Sequence, residues 1–381
     1  MRRFGVGLAA VAAVLLAPAS ARAQETLAGA LPLMGAALKV GSLPAEAEIV
    51  FASAMAGEKD AWGFPVRELY AARADGTHVA RLTYSGFNHN HFEVSPDRTL
   101  IFTNRWSRGD TNHDGKLTYA DFKELWLIDL KHHTERRVLE GVDGGYGGVA
   151  WSPDGRSVYY TVLSDRVSDV YRWPISGGPP QLLTADLNRR LGMPGDKRWI
   201  SDIDISPDGR WLAGAYHNGD IPPGKPHKNQ IAIFRVDGTA ARLITDGGPL
   251  GAQMRGMWSV GDFDPDWSPD GRSVSFMRVT DRALLKSRPV SSADILRINV
   301  DGTGLARLSA RDNGNEEGIS SWGDACLVLW SSWGDDGPPR LKIARSDGTG
   351  LHTLPIPDAT FGQWIPRPGR KPAKACPAPT G

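Results

Sequence analysis

Only two cysteines, Cys326 and Cys376, occur in 381 residues, so no dense disulfide framework and no multi-cysteine metal site organises this chain. After the first 23 residues, no stretch is apolar for the roughly 18 residues that a membrane-spanning helix needs, which argues against insertion into a bilayer. A Gly-x-Ser-x-Gly elbow, a P-loop and a dinucleotide fingerprint are all missing, and with them the sequence marks of the common hydrolase and nucleotide sites. An excess of charge of one sign is missing too. Lysine and arginine number 44 against 43 aspartate and glutamate, a balance that gives nucleic acid or an anionic membrane surface nothing to hold.

What is present begins with a leader. Residues 1–23 have a basic start, an apolar run from Val6 to Leu16 and an Ala21-Arg22-Ala23 cleavage pattern, which together read as a secretory signal peptide. Its removal takes away three arginines and no acid, turning the formal net charge of +1 into −2. The mature chain is therefore expected in the periplasm or outside the cell. In that compartment a single disulfide between Cys326 and Cys376 can persist, and it is an expectation that the sequence alone does not fix.

Self-similarity sets the fold. Four near-copies, "EVSPDRTLIFT", "AWSPDGRSVYYT", "DISPDGRWLAGA" and "DWSPDGRSVSFM", place their serines at Ser95, Ser152, Ser206 and Ser268, spaced by 57, 54 and 62 residues. A second signature, Asp-Gly-Thr, alternates with the first in "ARADGTHVARLT", "FRVDGTAARLIT", "INVDGTGLARLS" and "ARSDGTGLHTLP". In Ser-Pro-Asp-Gly, proline presets the second position of a type I turn and glycine suits the fourth. Asp-Gly between two alternating runs suits a tight hairpin, which needs positive dihedrals. Each repeat thus reads as four short antiparallel strands, A to D, the pattern of a β-propeller blade.

Two incomplete copies complete the count. "SSWGDACLVLW" at Ser320 is a further A–B pair, and "GQWIPRPGR" at Gly362 has an A strand with no B, while "AEIVFAS" at Ala47 has a B strand with no A. The expectation is an all-β chain: a six-bladed propeller over residues 45–370, its first blade completed by a C-terminal strand. A lead segment (24–44) precedes it and a tail (371–381) follows. The repeats resemble the WD40-like (PD40) family of TolB-type propellers, whose "WSPDG" run stands here at Trp151 and Trp267. The resemblance implies a periplasmic protein-binding scaffold, although the α/β domain that precedes the TolB propeller has only residues 24–44 to occupy here.

Connectivity puts the SPDG and DGT turns on one face and the longer B–C and D–A connections on the other. Long loops on one side of a rigid scaffold are where binding resides. The candidate binding residues on that side are Trp62, His89, His91, Trp199, Arg255 and Trp258, with Arg198 and Lys228 beside them, and the expected partner is a protein, peptide or glycan. His89 and His91, two apart in "GFNHNHFEV", point to one side of an extended chain. With His217 or His227 they support an alternative, a metal-dependent polysaccharide lyase or hydrolase at the channel mouth. No ligand set of defined spacing emerges, so the favoured reading is a scaffold and not an enzyme.

Asp110 to Asp121, "DTNHDGKLTYAD", fills the positions of a calcium loop: Asp110, Asn112 and Asp114 at 1, 3 and 5, Gly115 at 6, the Lys116 carbonyl at 7, Thr118 at 9 and Asp121 at 12. It closely resembles EF-hand and dockerin loops, but lies between strands B and C of the second blade. One unpaired loop without helices cannot open as a sensor does. The expectation is a structural Ca2+ that staples a long loop.

Overall fold

The computed structural model describes residues 39–60, 63, 65–106, 124–139, 145–163, 167–220, 228–248, 260–285, 288–309, 316–334, 337–366 and 375–377. Twenty-four strands and one short helix run through them. The chain enters with β1 (Ile49–Ser53), β2 (Glu68–Ala72) and β3 (Ala80–Arg81). Then come β4 (Asn88–Val94), β5 (Leu100–Trp106), β6 (Glu124–Asp129) and β7 (Thr134–Leu139), followed by β8 (Gly145–Trp151), β9 (Ser157–Leu163), β10 (Ser168–Pro174) and β11 (Gln181–Leu182). After α1 (Leu187–Arg190) lie β12 (Arg198–Ile205), β13 (Trp211–Asn218), β14 (Lys228–Arg235) and β15 (Ala241–Leu243). The last strands are β16 (Val260–Trp267), β17 (Ser273–Leu285), β18 (Arg288–Asn299) and β19 (Ala306–Arg307), then β20 (Glu316–Trp322), β21 (Leu327–Trp333), β22 (Arg340–Arg345) and β23 (His352–Thr353), and finally β24 (Ala359–Trp364).

The SPDG signature folds the same way four times. In each copy the serine hydroxyl donates to the aspartate at 2.6 Å and accepts the amide that opens the next strand at 2.9 Å. The fourth residue then takes a positive φ, which glycine adopts without strain: Gly155, Gly209 and Gly271 lie at +67° to +70°. Arg98 replaces glycine in the first copy at φ +65°, and its guanidinium donates to the carbonyls of Pro44, Ala45 and Ala47. In the DGT turns Asp75, Asp237, Asp301 and Asp347 each accept the amide and hydroxyl of the threonine two residues on.

These hairpins build an all-β propeller. The strand C-terminal in sequence, β24, pairs with β1, so one sheet runs β24-β1-β2-β3. Two further four-stranded sheets are β4 to β7 and β8 to β11. The remaining twelve strands form one sheet, not three separate ones. The reason is local: Lys228 and Asn229 of β14 pair in parallel with Val260 and Gly261 of β16, and Ala293 of β18 pairs with Glu316 of β20. These short bridges run between neighbouring four-stranded meanders.

The core is divided among the seams. Apolar clusters join β1, β2, β4 and β5; β5, β6, β8 and β9; β9, β10, β12 and β13; β13, β14, β17 and β18; β18, β20, β21 and β22; and, back to the start, β21 and β22 with β1 and β2. Burying the two faces of each sheet against different neighbours is what keeps sheet after sheet in place, at roughly 25 cal/mol per Å² of apolar surface. A disulfide joins Cys326 to Cys376, Cα to Cα 5.3 Å. No helix among the described residues is long and apolar enough to cross a membrane.

Candidate functional site

Strands β4, β8, β12, β16, β20 and β24 each touch the next, and β24 touches β4, so they surround a common axis. Each carries a β-bulge at a corresponding level: the register with its partner shifts between His89 and Phe92, Tyr146 and Val149, Ser201 and Ile203, Phe263 and Asp266, Gly318 and Ser320, and opposite Val50 and Ala52. A bulge re-aims side chains at strand ends and sites. Here Asp202, Asp264 and Phe361 take positive φ values of 45°, 48° and 54° within it. Gly148 meets the backbone of Asp202 and Ile203 so closely that a Cβ would lie 2.5 Å from the Ile203 nitrogen.

The axis holds a cavity of about 400 Å³. Its wall includes the second-position prolines Pro96, Pro153, Pro207 and Pro269, so it opens among the SPDG turns. Glu48, Glu93, Asp202, Asp204, Asp264, Asp266 and Asp324 line it, and among the described residues no lysine or arginine does. Glu93, Asp204 and Asp266 also stitch the seams, accepting the main-chain amides of Trp151, Trp267 and Trp322 at 2.5, 2.6 and 3.0 Å. Burial, then the charge of Asp204, raises Glu93. Asp266 rises for the same reasons with Glu93 added, and burial pushes Asp204 up to about 7. Asp264 rises through burial and then the charge of Asp202. The His91 imidazole stands 3.6 Å from Asp202 and edge-on to Phe361.

The two histidines therefore do not share a side, as an extended chain would have them; the bulge between them parts them. His89 is fully buried away from the axis, with Nδ1 3.1 Å from the Thr103 hydroxyl and Nε2 3.3 Å from Ser85 and 3.7 Å from Glu68. Burial pushes its pKa down. Burial alone would raise Glu68, but the nearby His89 imidazole and hydrogen bonds from Thr83 and the Gly86 amide outweigh it and bring Glu68 to about 2. This cluster ties β2 to β4. Arg198 of β12 does the same to Asp169 of β10, at 2.5 Å.

Of the other expected binding residues, Trp199 is half-buried and stacks on His217, ring centroids 6.0 Å apart, and Lys228 donates to the carbonyls of Asp246 and Gly248. Trp62, His227, Arg255 and Trp258 lie outside the described residues, as do Asp110, Asn112, Asp114, Lys116, Thr118 and Asp121. Among the described residues no group of three or more His, Cys, Asp or Glu has the arrangement of a metal site. The acidic cavity thus lies on the face opposite the loops expected to bind. Its residues stood in the repeats themselves, as the Glu, Asp and Asp that open "EVSPD", "DISPD" and "DWSPD", where only the turn was read.

Fold and axis together define a β-propeller, and TolB is among the solved propellers that superpose on it. TolB from Acinetobacter baumannii superposes with a TM-score of 0.59 over 84% of this chain and 67% of that one, at 16% identity. No family model matches the sequence. An uncharacterized protein of Agrobacterium fabrum, Atu1656, is 29% identical over 188 residues, which is 49% of this chain and 50% of that protein. An LST8 homologue of Drosophila melanogaster is 29% identical over 97 residues, 26% of this chain and 29% of that one. The chain thus spans half or less of the length of the curated relatives it matches.

Proposed function

We propose that this chain is a periplasmic or secreted six-bladed propeller that acts as a binding scaffold, not a catalyst, and receives a cationic segment of a protein or peptide partner in its axial cavity. The six-blade reading treats the twelve-stranded sheet as three blades linked by short parallel bridges, and the six seam clusters support it. The leader sequence supports export. One observation carries the partner's chemistry: among the described residues, seven carboxyl groups and no lysine or arginine wall a cavity of about 400 Å³, and a cation seated there would favour their ionised forms. Prolines and the indoles of Trp151, Trp267, Trp322 and Trp364 complete the wall and suit the aliphatic stem of lysine or arginine. The metal-dependent lyase or hydrolase alternative is weakened by the burial of His89. The calcium loop at Asp110–Asp121 is kept as a structural staple within this proposal.

A fluorescein-labelled hexalysine peptide, with hexaglutamate as control, tests the reading by anisotropy. The expected result is lysine-peptide binding that weakens about tenfold between roughly 50 and 300 mM salt, and weakens further in Asp264→Asn. Equal binding of both peptides, or an Asp264→Asn variant that binds as wild type does, would overturn it.

A further inference from the structure

A second concavity, about 490 Å³, opens among the turns at the seam between β13–β14 and β16; its wall includes Asp208, Trp211, Ile233, Trp267, Gly271 and Val300. One repeat further on, the corresponding seam holds the chain's own residues Ala375–Pro377. Register fixes the correspondence. Asp208 and Asp270 are the third residues of their SPDG turns, and Ile233 pairs with Ala213 as Arg297 pairs with Ser275. Trp267 and Trp322 close the next inner strands, Val300 and Ser346 precede Asp-Gly-Thr, and Gly271 occupies the turn position that Cys326 fills at φ +57°.

In the filled seam these positions bind main chain. Asp270 Oδ2 accepts the Cys376 amide at 2.7 Å, while Arg297 Nη1 and the Ser346 hydroxyl donate to the Pro377 carbonyl at 2.5 and 2.7 Å. Cys376 packs in the cluster of Trp322 and is bonded to Cys326. We propose that the open seam is a docking groove for an extended, proline-containing segment of a partner protein, seated as Ala375–Pro377 is seated next door.

The differences between the seams define what it prefers. Asp208 keeps the acceptor: its Oδ2 carries only Arg210 Nε, at 2.9 Å, from a side chain 65% exposed, a pair that an incoming amide can share. Ile233 and Val300 replace the two donors, so grip on a peptide carbonyl is lost and the floor becomes apolar. Trp211 replaces Ser273 and adds a half-buried indole, flanked by the guanidinium groups of Arg235 and Arg242 at 5.6 and 5.8 Å. An aromatic groove of this kind selects proline in an extended peptide, whose ordering costs little. The groove is separate from the axial cavity, and the proposal does not depend on the cationic partner.

The correspondence supplies its own test. Gly271→Cys places a thiol where Cys326 sits, and an added Cβ there meets nothing closer than Pro207 at 3.8 Å. The probe is the synthetic peptide Lys-Ala-Cys-Pro-Ala-Pro-Thr-Gly, the sequence of residues 374–381, in a glutathione redox buffer. Gly271→Cys should trap it as a mixed disulfide at least about tenfold more than Gly238→Cys on another turn does, a difference that reports effective concentration. The same peptide with serine for cysteine should compete. Independently of any cysteine variant, the labelled serine peptide should bind the native protein, and Trp211→Ala should weaken it about fivefold. Equal trapping at the two positions, absence of competition, or unchanged binding to Trp211→Ala would each overturn the proposal.

Discussion

Trp267 is 6% exposed, and its indole Nε1 has no hydrogen-bond partner among the described residues, whereas one repeat on the Trp322 Nε1 donates to Ser275 Oγ at 2.8 Å. The residue in the place of Ser275 is Ala213, so the missing acceptor is a single oxygen atom. A buried donor left unmade costs about 1–3 kcal/mol. Ala213→Ser should recover part of it, about 0.5 kcal/mol net, because Ser275 is also hydrogen-bonded to the Ser320 hydroxyl at 2.7 Å while Pro265 stands in the equivalent place and its ring offers no partner. Chemical denaturation of the two proteins checks this; a loss of more than about 1 kcal/mol would mean that Ala213 is packed too tightly for the added oxygen. Single residues of this kind were not legible beforehand. The sequence shows both a tryptophan and an alanine, but only the register brings them face to face.

At the scale of elements, the hairpins were legible and the bulges were not. Ser-Pro-Asp-Gly and Asp-Gly-Thr specify their turns through contacts within five residues, such as Ser152 with Asp154 and Ser157, and a local cause leaves a local signature. A bulge is a mismatch between two strands, so His89 and His91 look like neighbours on one side until β5 is laid beside them. Without the bulge, the imidazole at 89 and the imidazole at 91 would serve one site. With it, one is a buried tie between strands and the other faces Asp202. The proposed calcium loop belongs to this scale as well. Its candidate ligands all fall within twelve residues, so the assignment rests on spacing alone, and a staple has a stability readout. Added calcium should raise the melting temperature over that in chelator by about 1–2 °C, the shift expected from about 1 kcal/mol in a chain of this size. Asp110→Ala should abolish the difference, and identical wild-type curves with calcium and chelator would sink the assignment.

The whole molecule is closed by pairings between distant parts of the sequence: β24 with β1, and the tail with Cys326. Closure was foreseeable because a blade lacking its A strand and an A strand lacking its blade are complementary defects. The charge inside the ring was not, since it needs strands some 55 residues apart to share an axis. That charge has a consequence for stability. Glu93, Asp204, Asp264 and Asp266 hold protons more tightly folded than unfolded, so folded protein binds more protons and stability must fall as pH rises through their folded values. Among the described residues, the other titratable groups facing them are Asp202, His91, Glu48 and Asp324. His89 works in the opposite sense: burial holds it neutral, and its contribution is lost as pH falls below about 6.5. Glu68 and the turn aspartates have lowered values and are lost only in the acid range. Between pH 8 and 6.5, with Asp204 near 7, the channel acids therefore decide the sign. The melting temperature should rise by about 1–3 °C on going from pH 8 to 6.5, on the order of 1–2 kcal/mol. Asp264→Asn, which removes one of the repelling charges, should melt higher than wild type at pH 8 and show a shallower dependence. A melting temperature that is flat or falls over that interval, or an Asp264→Asn variant with the wild-type slope, would show that these carboxylates do not repel one another across the axis.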